Sequence, residues 1–255
     1  MIDRSVEQFS VSAHLLTDSP TLRLDASFYN RGVVRAVAAV EQSGMDVKPL
    51  GDVVSRLFIP PRFRRIYVER DHGVPFLQGG HIGQMDPPDL KYLSRTAHKN
   101  LERWIIESGW VLITCSGTVG RVALAPRQWG GWAASQHILR VVPRDDPDCP
   151  RGYLAAFLAS PLGRAQLTAQ VYGAVVDELS EEQASRVLVP VARTAAQRAT
   201  VQRIHERMMR SAVLRAEAVE SAWDAARILA DALPLDDIQS DGWIVSVAED
   251  HVDYA

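Results

Sequence analysis

The densest cluster of basic and aromatic side chains in the sequence is Arg62-Phe63-Arg64-Arg65, with Tyr67 two residues further on. Guanidinium groups bind phosphate oxygens, and their forked donors also match the guanine edge in a DNA groove. The cluster follows Pro60-Pro61, which predicts a loop. We therefore expect a contact with phosphates or with a groove; the alternative is a solvated loop whose charges only keep the surface hydrated.

Polar side chains also lie near the ends of predicted strands. Gln78, His81 and Gln84 follow a strand in a Gly-rich segment, and Gln136 and His137 open another strand. Glutamine matches the adenine edge, and the hydroxyls and backbone amides of a glycine turn can meet a phosphate. For each position the alternative role is turn formation or strand-end capping. The side chains predicted to contact DNA are Arg62, Arg64, Arg65, Tyr67, Gln78, His81, Gln84, Lys91, Ser116, Thr118, Arg121, Gln136 and His137.

The elements that must position these side chains change in character along the chain. Asn30 to Gln42 has valines at helical spacing and predicts a short amphipathic helix. From Val47 to Val142, short β-rich runs are broken by Gly and Pro, which predicts a compact sheet domain. One helical run, Thr96 to Ile106, interrupts the strands, and Ser116 to Gly120 predicts a tight turn between two of them.

The chain is predominantly helical after Pro150. Ser180-Glu-Glu-Gln183 and Thr194-Ala-Ala-Gln197 each match a capping box. The second box opens a helix predicted from Ala195 to Leu233, about 58 Å long at 1.5 Å per residue. The sequence thus predicts an α+β fold: a compact domain with a twisted β-sheet and flanking helices, followed by one long coiled-coil-like helix.

One face of the long helix carries apolar residues at steps of three, four or seven. An alanine-rich stripe of this kind lets another helix approach closely, which predicts a dimer or partner contact. A helix that lies on its own domain would show the same length and periodicity, so that alternative stays open. The residues predicted to form the partner face are Val201, Ile204, Met208, Ala212, Val219, Ala226 and Leu229.

Composition places the chain among ordinary soluble globular proteins, with 47% hydrophobic and 23% charged residues. It has no apolar run of about 18 residues, so we expect no membrane partner. Cys115 and Cys149 are too few and too unlike each other for a disulfide framework or a zinc site, which favours the cytoplasm.

The formal net charge of -3 is unevenly distributed. Residues 231–255 hold seven acids and no Lys or Arg, so residues 1–230 carry 28 bases against 24 acids. A weakly basic body with an acidic tail permits nucleic-acid contact without demanding it. The tail, which includes Trp243, is compatible with a solvating segment, a docked strand or a partner-binding peptide.

Several segments, taken in order, resemble the specificity subunits of type I restriction-modification systems. Their shared order over about 200 residues carries the resemblance more than any single segment does. The segments are Arg23-Leu-Asp-Ala-Ser-Phe-Tyr29, Val47-Lys-Pro-Leu-Gly-Asp-Val53, Val74-Pro-Phe-Leu77 with Gly80-His-Ile82, Ser108-Gly-Trp-Val-Leu-Ile-Thr-Cys-Ser-Gly-Thr-Val-Gly-Arg121, Ser135-Gln136, Tyr153-Leu-Ala-Ala-Phe-Leu-Ala-Ser-Pro161 and Val189-Pro190.

The resemblance implies a function in sequence-specific DNA recognition. Such subunits usually hold two target-recognition domains separated by two antiparallel helices, which set the spacing of a split site and dock methyltransferase subunits. This chain matches one domain and one helix, with a target-recognition domain over 1–190, a spacer and docking helix over 191–234 and an acidic tail over 235–255. We therefore expect a homodimer whose long helices pair and present two identical domains to double-stranded DNA.

The resemblance also implies that chemistry belongs to partners: a methyltransferase that binds S-adenosylmethionine, with a restriction translocase subunit as a further candidate. This chain has no Asn-Pro-Pro-aromatic segment and no Gly-rich strand-to-helix turn suited to that cofactor. Cys115 and His137 could be imagined as nucleophile and base, but Cys115 ends an apolar strand and is better explained as core. We expect no catalytic residue, metal site or cofactor here. The alternative function is a DNA-targeting or protein-interaction adaptor in another phage-defence complex.

Overall fold

The computed structural model describes residues 31–84, 86–87, 89–169 and 178–233. The segment Arg23–Tyr29, the predicted helix start at Asn30 and the acidic tail at 235–255 lie outside the described residues.

The described residues alternate short strands and short helices before one long helix. The helices are α1 (Arg31–Glu41), α2 (Leu50–Val53), α3 (Arg151–Ala159), α4 (Pro161–Ala169), α5 (Glu181–Ser185) and α6 (Ala195–Ala232). The strands are β1 (Asp46–Pro49), β2 (Val54–Phe58), β3 (Tyr67–Val68), β4 (Gly73–Leu77), β5 (Lys91–Ser94), β6 (Val111–Thr114), β7 (Val122–Leu124), β8 (Ala133–Ala134), β9 (Ile138–Pro143) and β10 (Leu188–Val191). The α+β class and the long final helix are confirmed.

The strands form two four-stranded sheets and one two-stranded ribbon. One sheet is antiparallel throughout, in the order β2-β9-β6-β7. The other has the order β3-β5-β4-β8, in which only the β4–β8 pair is parallel. The ribbon pairs β1 with β10 and so joins the start of the domain to the segment just before α6.

The largest hydrophobic core lies between the β2-β9-β6-β7 sheet and the helices that cover it. Ile113 and Leu139 from the sheet pack with Leu154 of α3 and Leu167 of α4, all fully buried. A smaller core beneath the second sheet is rich in aromatic residues and includes Phe76. A third core joins the two sheets, because Leu77 and Ala134 of one sheet pack with Leu112 and Ile138 of the other. The loops at this junction therefore come from both sheets and are held close together.

Both predicted capping boxes are present. In the first, the backbone N–H of Gln183 donates to Ser180 Oγ at 3.1 Å. In return, the backbone N–H of Ser180 donates to the side-chain oxygen Oε1 of Gln183 at 2.8 Å. In the second, Thr194 and Gln197 make the same exchange at 3.2 and 3.1 Å. Each exchange satisfies backbone donors that the first helical turn leaves without a partner.

The predicted helix from Thr96 to Ile106 is wrong, since only a 3₁₀ turn at Leu101–Arg103 forms within it. The backbone groups that an α-helix would use pair instead with an extended neighbour. The Ala134 N–H donates to the Trp104 carbonyl at 2.8 Å, and the Ile106 N–H donates to the Trp132 carbonyl at 2.9 Å. Non-local pairing here outweighs a modest local helical preference.

The first half of α6 lies on the domain. Val201 is buried, and Met208 and Ala212 pack on the largest core. The backbone N–H of Gly152 in α3 donates to His205 Nδ1 at 3.0 Å, which fixes the crossing of the two helices. No helix in the described part of the chain is both long and apolar enough to span a bilayer.

Candidate nucleic-acid interface

An open cavity of about 350 Å³ lies where loops from both four-stranded sheets meet. It brings together six of the side chains predicted to contact DNA. These six are Arg65, Gln78, Ser116, Thr118, Arg121 and His137. The remaining lining residues, Gly79, Gly80, Thr114, Gly117 and Ser135, are small. The cavity is therefore shallow and open, and its polar side chains alternate with small residues that expose the backbone.

The glycine turn after β6 forms one wall of this cavity. Gly117 and Gly120 adopt φ values of 75° and 86°, a left-handed conformation that other residues rarely adopt. Thr114 holds the turn closed, because its Oγ1 donates to the Thr118 carbonyl and accepts from the Arg121 backbone N–H. The turn thus presents the Thr118 and Arg121 side chains on a fixed backbone.

The opposite wall is the Ser135–His137 segment, and a buried arginine holds its backbone. Arg140 is fully buried, and one of its guanidinium nitrogens, Nη1, donates to the Ser135 carbonyl at 2.7 Å. The guanidinium also donates to the carbonyls of Ala134 and Ile138. Burial lowers the pKa of Arg140 to about 9, which still leaves it protonated at neutral pH. A fixed positive charge therefore lies directly beneath the cavity.

Gln136 links the two side chains that flank it in space. Its Oε1 accepts from Arg65 Nη2 at 3.0 Å, and its Nε2 lies 3.0 Å from His137 Nε2. An amide nitrogen only donates, so His137 Nε2 is the acceptor and the ring carries its proton on Nδ1. Arg65 also lies 5.3 Å from the centre of the Phe76 ring, which supports the guanidinium from below.

The electrostatics of the cavity favour an anion. Burial lowers the pKa of His137, and the nearby Arg65 and Arg62 charges lower it further, although Glu178 opposes them. Among the described residues, neither Asp nor Glu lines the cavity. A group that brings negative charge here would meet Arg65 and Arg121 without a competing carboxylate in the lining.

A second open cavity, of about 410 Å³, continues from the first and shares Gly80 and Arg121 with it. Its lining adds Gln84 from the predicted set and Arg164 from α4. Sequence reasoning missed Arg164, because a lone arginine on a helix carries no local signal. Together the two cavities form a groove along which Arg65, Arg121 and Arg164 are spaced.

Other predicted side chains lie outside the first cavity. Arg62, Arg64 and Tyr67 are exposed, and Lys91 lies 5.1 Å from the Tyr67 ring centre. The loop that carries the arginines is anchored by Phe63, whose ring centre lies 4.2 Å from that of Trp104. The side chains outside the cavity therefore form a basic and aromatic edge beside it, which consists of Arg62, Arg64, Tyr67 and Lys91.

His81 has a structural role. Its side chain is buried, and its Nδ1 accepts from the Gln78 backbone N–H at 3.2 Å. The ring therefore shapes the turn after β4 and does not project into solvent.

The predicted partner face of α6 divides into two groups. Val201, Met208 and Ala212 pack on the domain core, and Val219 is buried, so these four are already engaged within the chain. Ile204 and Leu229 are exposed and Ala226 is half-buried. The alternative that the helix lies on its own domain therefore describes it as far as Trp223, whose Nε1 donates to Asp86 Oδ2 at 2.7 Å, and any partner must use a different face there.

In the described ranges, His, Cys, Asp and Glu side chains nowhere form a group of three that could hold a metal ion. Cys115 is buried, and burial raises its pKa to about 12. Its thiol is thus protonated at neutral pH and cannot act as the imagined nucleophile.

From the surroundings of three histidines we expect the fold to be less stable in acid. His81, His137 and His205 each accept a hydrogen bond through a ring nitrogen, and burial lowers the pKa of each below the ordinary value of 6.5. The unfolded chain therefore binds more protons below that value, so stability is complete above it and falls as the pH decreases through it.

Urea unfolding at pH 7.5 and pH 5.5 measures this effect, and we expect a lower free energy of unfolding at the acidic pH. His205→Asn keeps an acceptor for the Gly152 N–H without a titrating ring, so it should reduce the loss. Equal free energies at the two pH values would contradict the prediction.

No family model and no curated protein matches the chain. A solved structure of a type I restriction-modification system matches 85% of this chain and 53% of its own, with 18% identity and a TM-score of 0.49. The HsdS subunit from Thermoanaerobacter tengcongensis matches 76% of this chain and 46% of its own, with 17% identity and a TM-score of 0.45.

A third solved structure, the type I S subunit from M. genitalium, matches 63% of this chain and 38% of its own, with 12% identity and a TM-score of 0.43. All three are type I restriction-modification proteins. The chain spans about half or less of the length of each.

Proposed function

We propose that this chain is the sequence-specific DNA recognition subunit of a type I or type I-like restriction-modification system, and that it directs methyltransferase and endonuclease partners to a split site. One observation carries the proposal: residues predicted separately to contact DNA, from four loops far apart in the sequence, converge on one groove free of lining carboxylates in the described chain. Guanidinium, amide and hydroxyl groups on fixed backbone are the groups that contact phosphates and base edges.

The proposal assigns no chemistry to this chain. The groove contains no activated nucleophile among the described residues, and Cys115 is a buried thiol. Methylation, with S-adenosylmethionine as the methyl donor, and cleavage would belong to partner subunits, as the sequence resemblance implies.

A homodimer is the second part of the proposal, and the exposed face of α6 supports it. From Leu214 onward one exposed row follows alternating steps of four and three residues, the spacing of a coiled-coil seam. We call this row the free seam; it consists of Leu214, Ala218, Ser221, Ala225, Ile228 and Ala232. Its small residues allow a second helix to approach closely.

The charges beside the free seam favour antiparallel pairing. One flank repeats every seven residues as Arg203, Arg210, Glu217, Asp224 and Asp231, all exposed. Two antiparallel copies centred on Glu217 would set Arg203 opposite Asp231 of the second copy and Arg210 opposite its Asp224. A parallel pair would set each charge against its own copy and so repel itself.

The apolar positions come close to the same register. Centring on Glu217 brings Ile204 and Leu214 within two residues, about 3 Å along the helix axis, of the levels of Ile228 and Ala218 of the second copy. A strict monomer in light scattering, both free and on DNA, would contradict the dimer.

Salt-dependent DNA binding tests the recognition function. We expect Arg65→Ala and Arg121→Ala each to weaken binding about tenfold, because each removes a charged hydrogen bond. Each should also lower the slope of log affinity against log salt by about 0.9 if its partner is a phosphate. Arg127→Ala is the matched control, since Arg127 is exposed and lines neither cavity.

Fluorescence anisotropy with labelled duplexes at several salt concentrations measures these effects. If the protein binds no DNA at low salt, either alone or with its methyltransferase, the DNA recognition function is contradicted. That result would favour the alternative function, a protein-interaction adaptor.

A further inference from the structure

We propose that Gln136 reads an adenine in the major groove, and that Arg65 and His137 are positioning residues that fix the orientation of its amide. This inference rests on the proposed DNA recognition and adds to it the base that one side chain selects. The observation behind it is that both ends of the Gln136 amide are held by neighbours of opposite hydrogen-bonding character.

The backbone that carries Gln136 is fixed on every side. The Ser135 N–H donates to the Leu77 carbonyl at 2.9 Å, and the Ser135 carbonyl accepts from Arg140 at 2.7 Å. The His137 carbonyl accepts from the Cys115 N–H at 2.9 Å. A base-reading side chain needs such support, because an error of about half an ångström at the contact weakens recognition.

The side-chain amide is fixed in turn. Arg65 can only donate, so it requires the carbonyl oxygen of Gln136 on its side. His137 presents a bare Nε2, which requires the amide nitrogen on the other side. A flipped amide would set donor against donor and acceptor against acceptor, so one orientation is selected.

The fixed amide retains the two groups that adenine needs. After these contacts, Oε1 keeps one lone pair and Nε2 keeps one N–H. Adenine offers N6–H as a donor and N7 as an acceptor in the major groove, and a glutamine amide pairs with both. Guanine offers two acceptors, N7 and O6, at the same edge. Its O6 would face the Gln136 side-chain oxygen, which is also an acceptor, so no hydrogen bond could form there.

Gln84, which lines the second cavity, provides a contrast to Gln136, which lies beside the first cavity between the lining residues Ser135 and His137. Gln84 is exposed, follows Gly83 with its φ of 100°, and has no comparable pair of side-chain contacts among the described residues. An amide that turns freely loses more rotamer entropy on binding and discriminates less between bases. This difference distinguishes Gln136 from Gln84, although both were predicted to contact DNA.

The test is selection from a randomised duplex library by the wild-type protein and by Gln136→Ala, Gln136→Glu and Gln84→Ala. We expect a wild-type consensus in which one adenine disappears in Gln136→Ala while the other positions remain, with about a tenfold loss of discrimination there. Gln136→Glu should prefer cytosine at that position, because a carboxylate accepts from cytosine N4. Gln84→Ala should keep the adenine.

A modified base gives a second measurement that needs no folded variant. A consensus duplex with 7-deazaadenine at the assigned position lacks the N7 acceptor, so the wild-type protein should bind it about tenfold more weakly than the normal duplex. Arg65→Ala should reduce this penalty, because the amide is then free to turn.

The outcomes separate the two proposals. A wild-type protein that enriches no consensus contradicts DNA recognition itself. A consensus that Gln136→Ala reproduces at every position, or a wild-type protein indifferent to 7-deazaadenine at every adenine, overturns the assignment of Gln136 and leaves DNA recognition standing.

Discussion

Gly152→Ala should lower the free energy of unfolding by about 3 kcal/mol, near the upper end for overpacking of a close contact. A Cβ at Gly152 would lie 2.7 Å from the His205 carbonyl oxygen and 3.0 Å from its Cα. Both atoms belong to the α6 backbone, which cannot rotate away as a side chain can. The substitution must therefore push α6 off α3 and stretch the hydrogen bond from Gly152 N–H to His205 Nδ1.

Thermal and urea unfolding measure the effect, and for a chain of this size about 3 kcal/mol corresponds to a fall in Tm of roughly 6 to 12 °C. Gly80→Ala is the matched control, because a Cβ there meets nothing within 4 Å and its φ is not left-handed. Equal stability of Gly152→Ala and the wild type would show that the two helices do not cross at this distance.

The close crossing of α3 and α6 had no signal in the sequence. Nothing in the sequence around Gly152 indicates a close contact between helices. Glycine is needed there only because the His205 backbone lies against it in the folded chain. The capping boxes at Ser180 and Thr194, by contrast, were predicted correctly because every group involved lies within four residues. Local hydrogen bonds can be predicted from local sequence, whereas contacts between distant segments cannot.

The same distinction explains the failed helix and the divided partner face. The run from Thr96 to Ile106 was predicted to be helical, yet the extended segment around Ala134 takes the backbone hydrogen bonds of Trp104 and Ile106. On α6, periodicity found an apolar stripe but could not tell packing on the domain from packing on a partner. Val201 serves the first purpose, while the exposed Leu229 does not.

The sequence predicted individual residues of the groove but not the contacts that bring them together. The residue types at Arg65 and Gln136 pointed to phosphate and base contacts, but their hydrogen bond spans 71 positions and needs the folded chain. Arg140 had no signal, since a strand arginine is ordinarily exposed, and its burial beneath Ser135 depends on carbonyls from neighbouring turns.

Reversing the charges on the flank of the free seam should abolish self-association and then restore it between two different variants. Arg203→Asp with Arg210→Asp turns four attractive pairs of the symmetric dimer into repulsive ones. Asp224→Arg with Asp231→Arg does the same from the other side. Each exposed pair contributes about 0.5 kcal/mol and costs a similar amount when repulsive, so each double variant should dimerise about 1000-fold more weakly.

Mixing the two double variants should recover a heterodimer of roughly wild-type affinity. The four pairs that join positions 203 and 210 to positions 231 and 224 again carry opposite charges, while Glu217 faces its own copy in every combination. Sedimentation velocity on the separate and mixed proteins measures this directly. Glu206→Arg with Glu220→Arg is the control that matches the net-charge change of the second variant, and both of its residues are exposed three positions past the flank row.

The mixing experiment distinguishes antiparallel pairing from any parallel arrangement. In a parallel dimer each charge would face its own copy before and after reversal, so neither double variant would lose affinity, and the mixed pair, which joins opposite charges at every flank position changed, would bind more tightly than the wild type. Raising the salt concentration should weaken the wild-type dimer and the heterodimer alike, because exposed pairs are screened beyond about 10 Å at 0.1 M. Two double variants that each dimerise like the wild type would remove the free seam from the proposal and leave the DNA-binding groove to be judged by its own experiments.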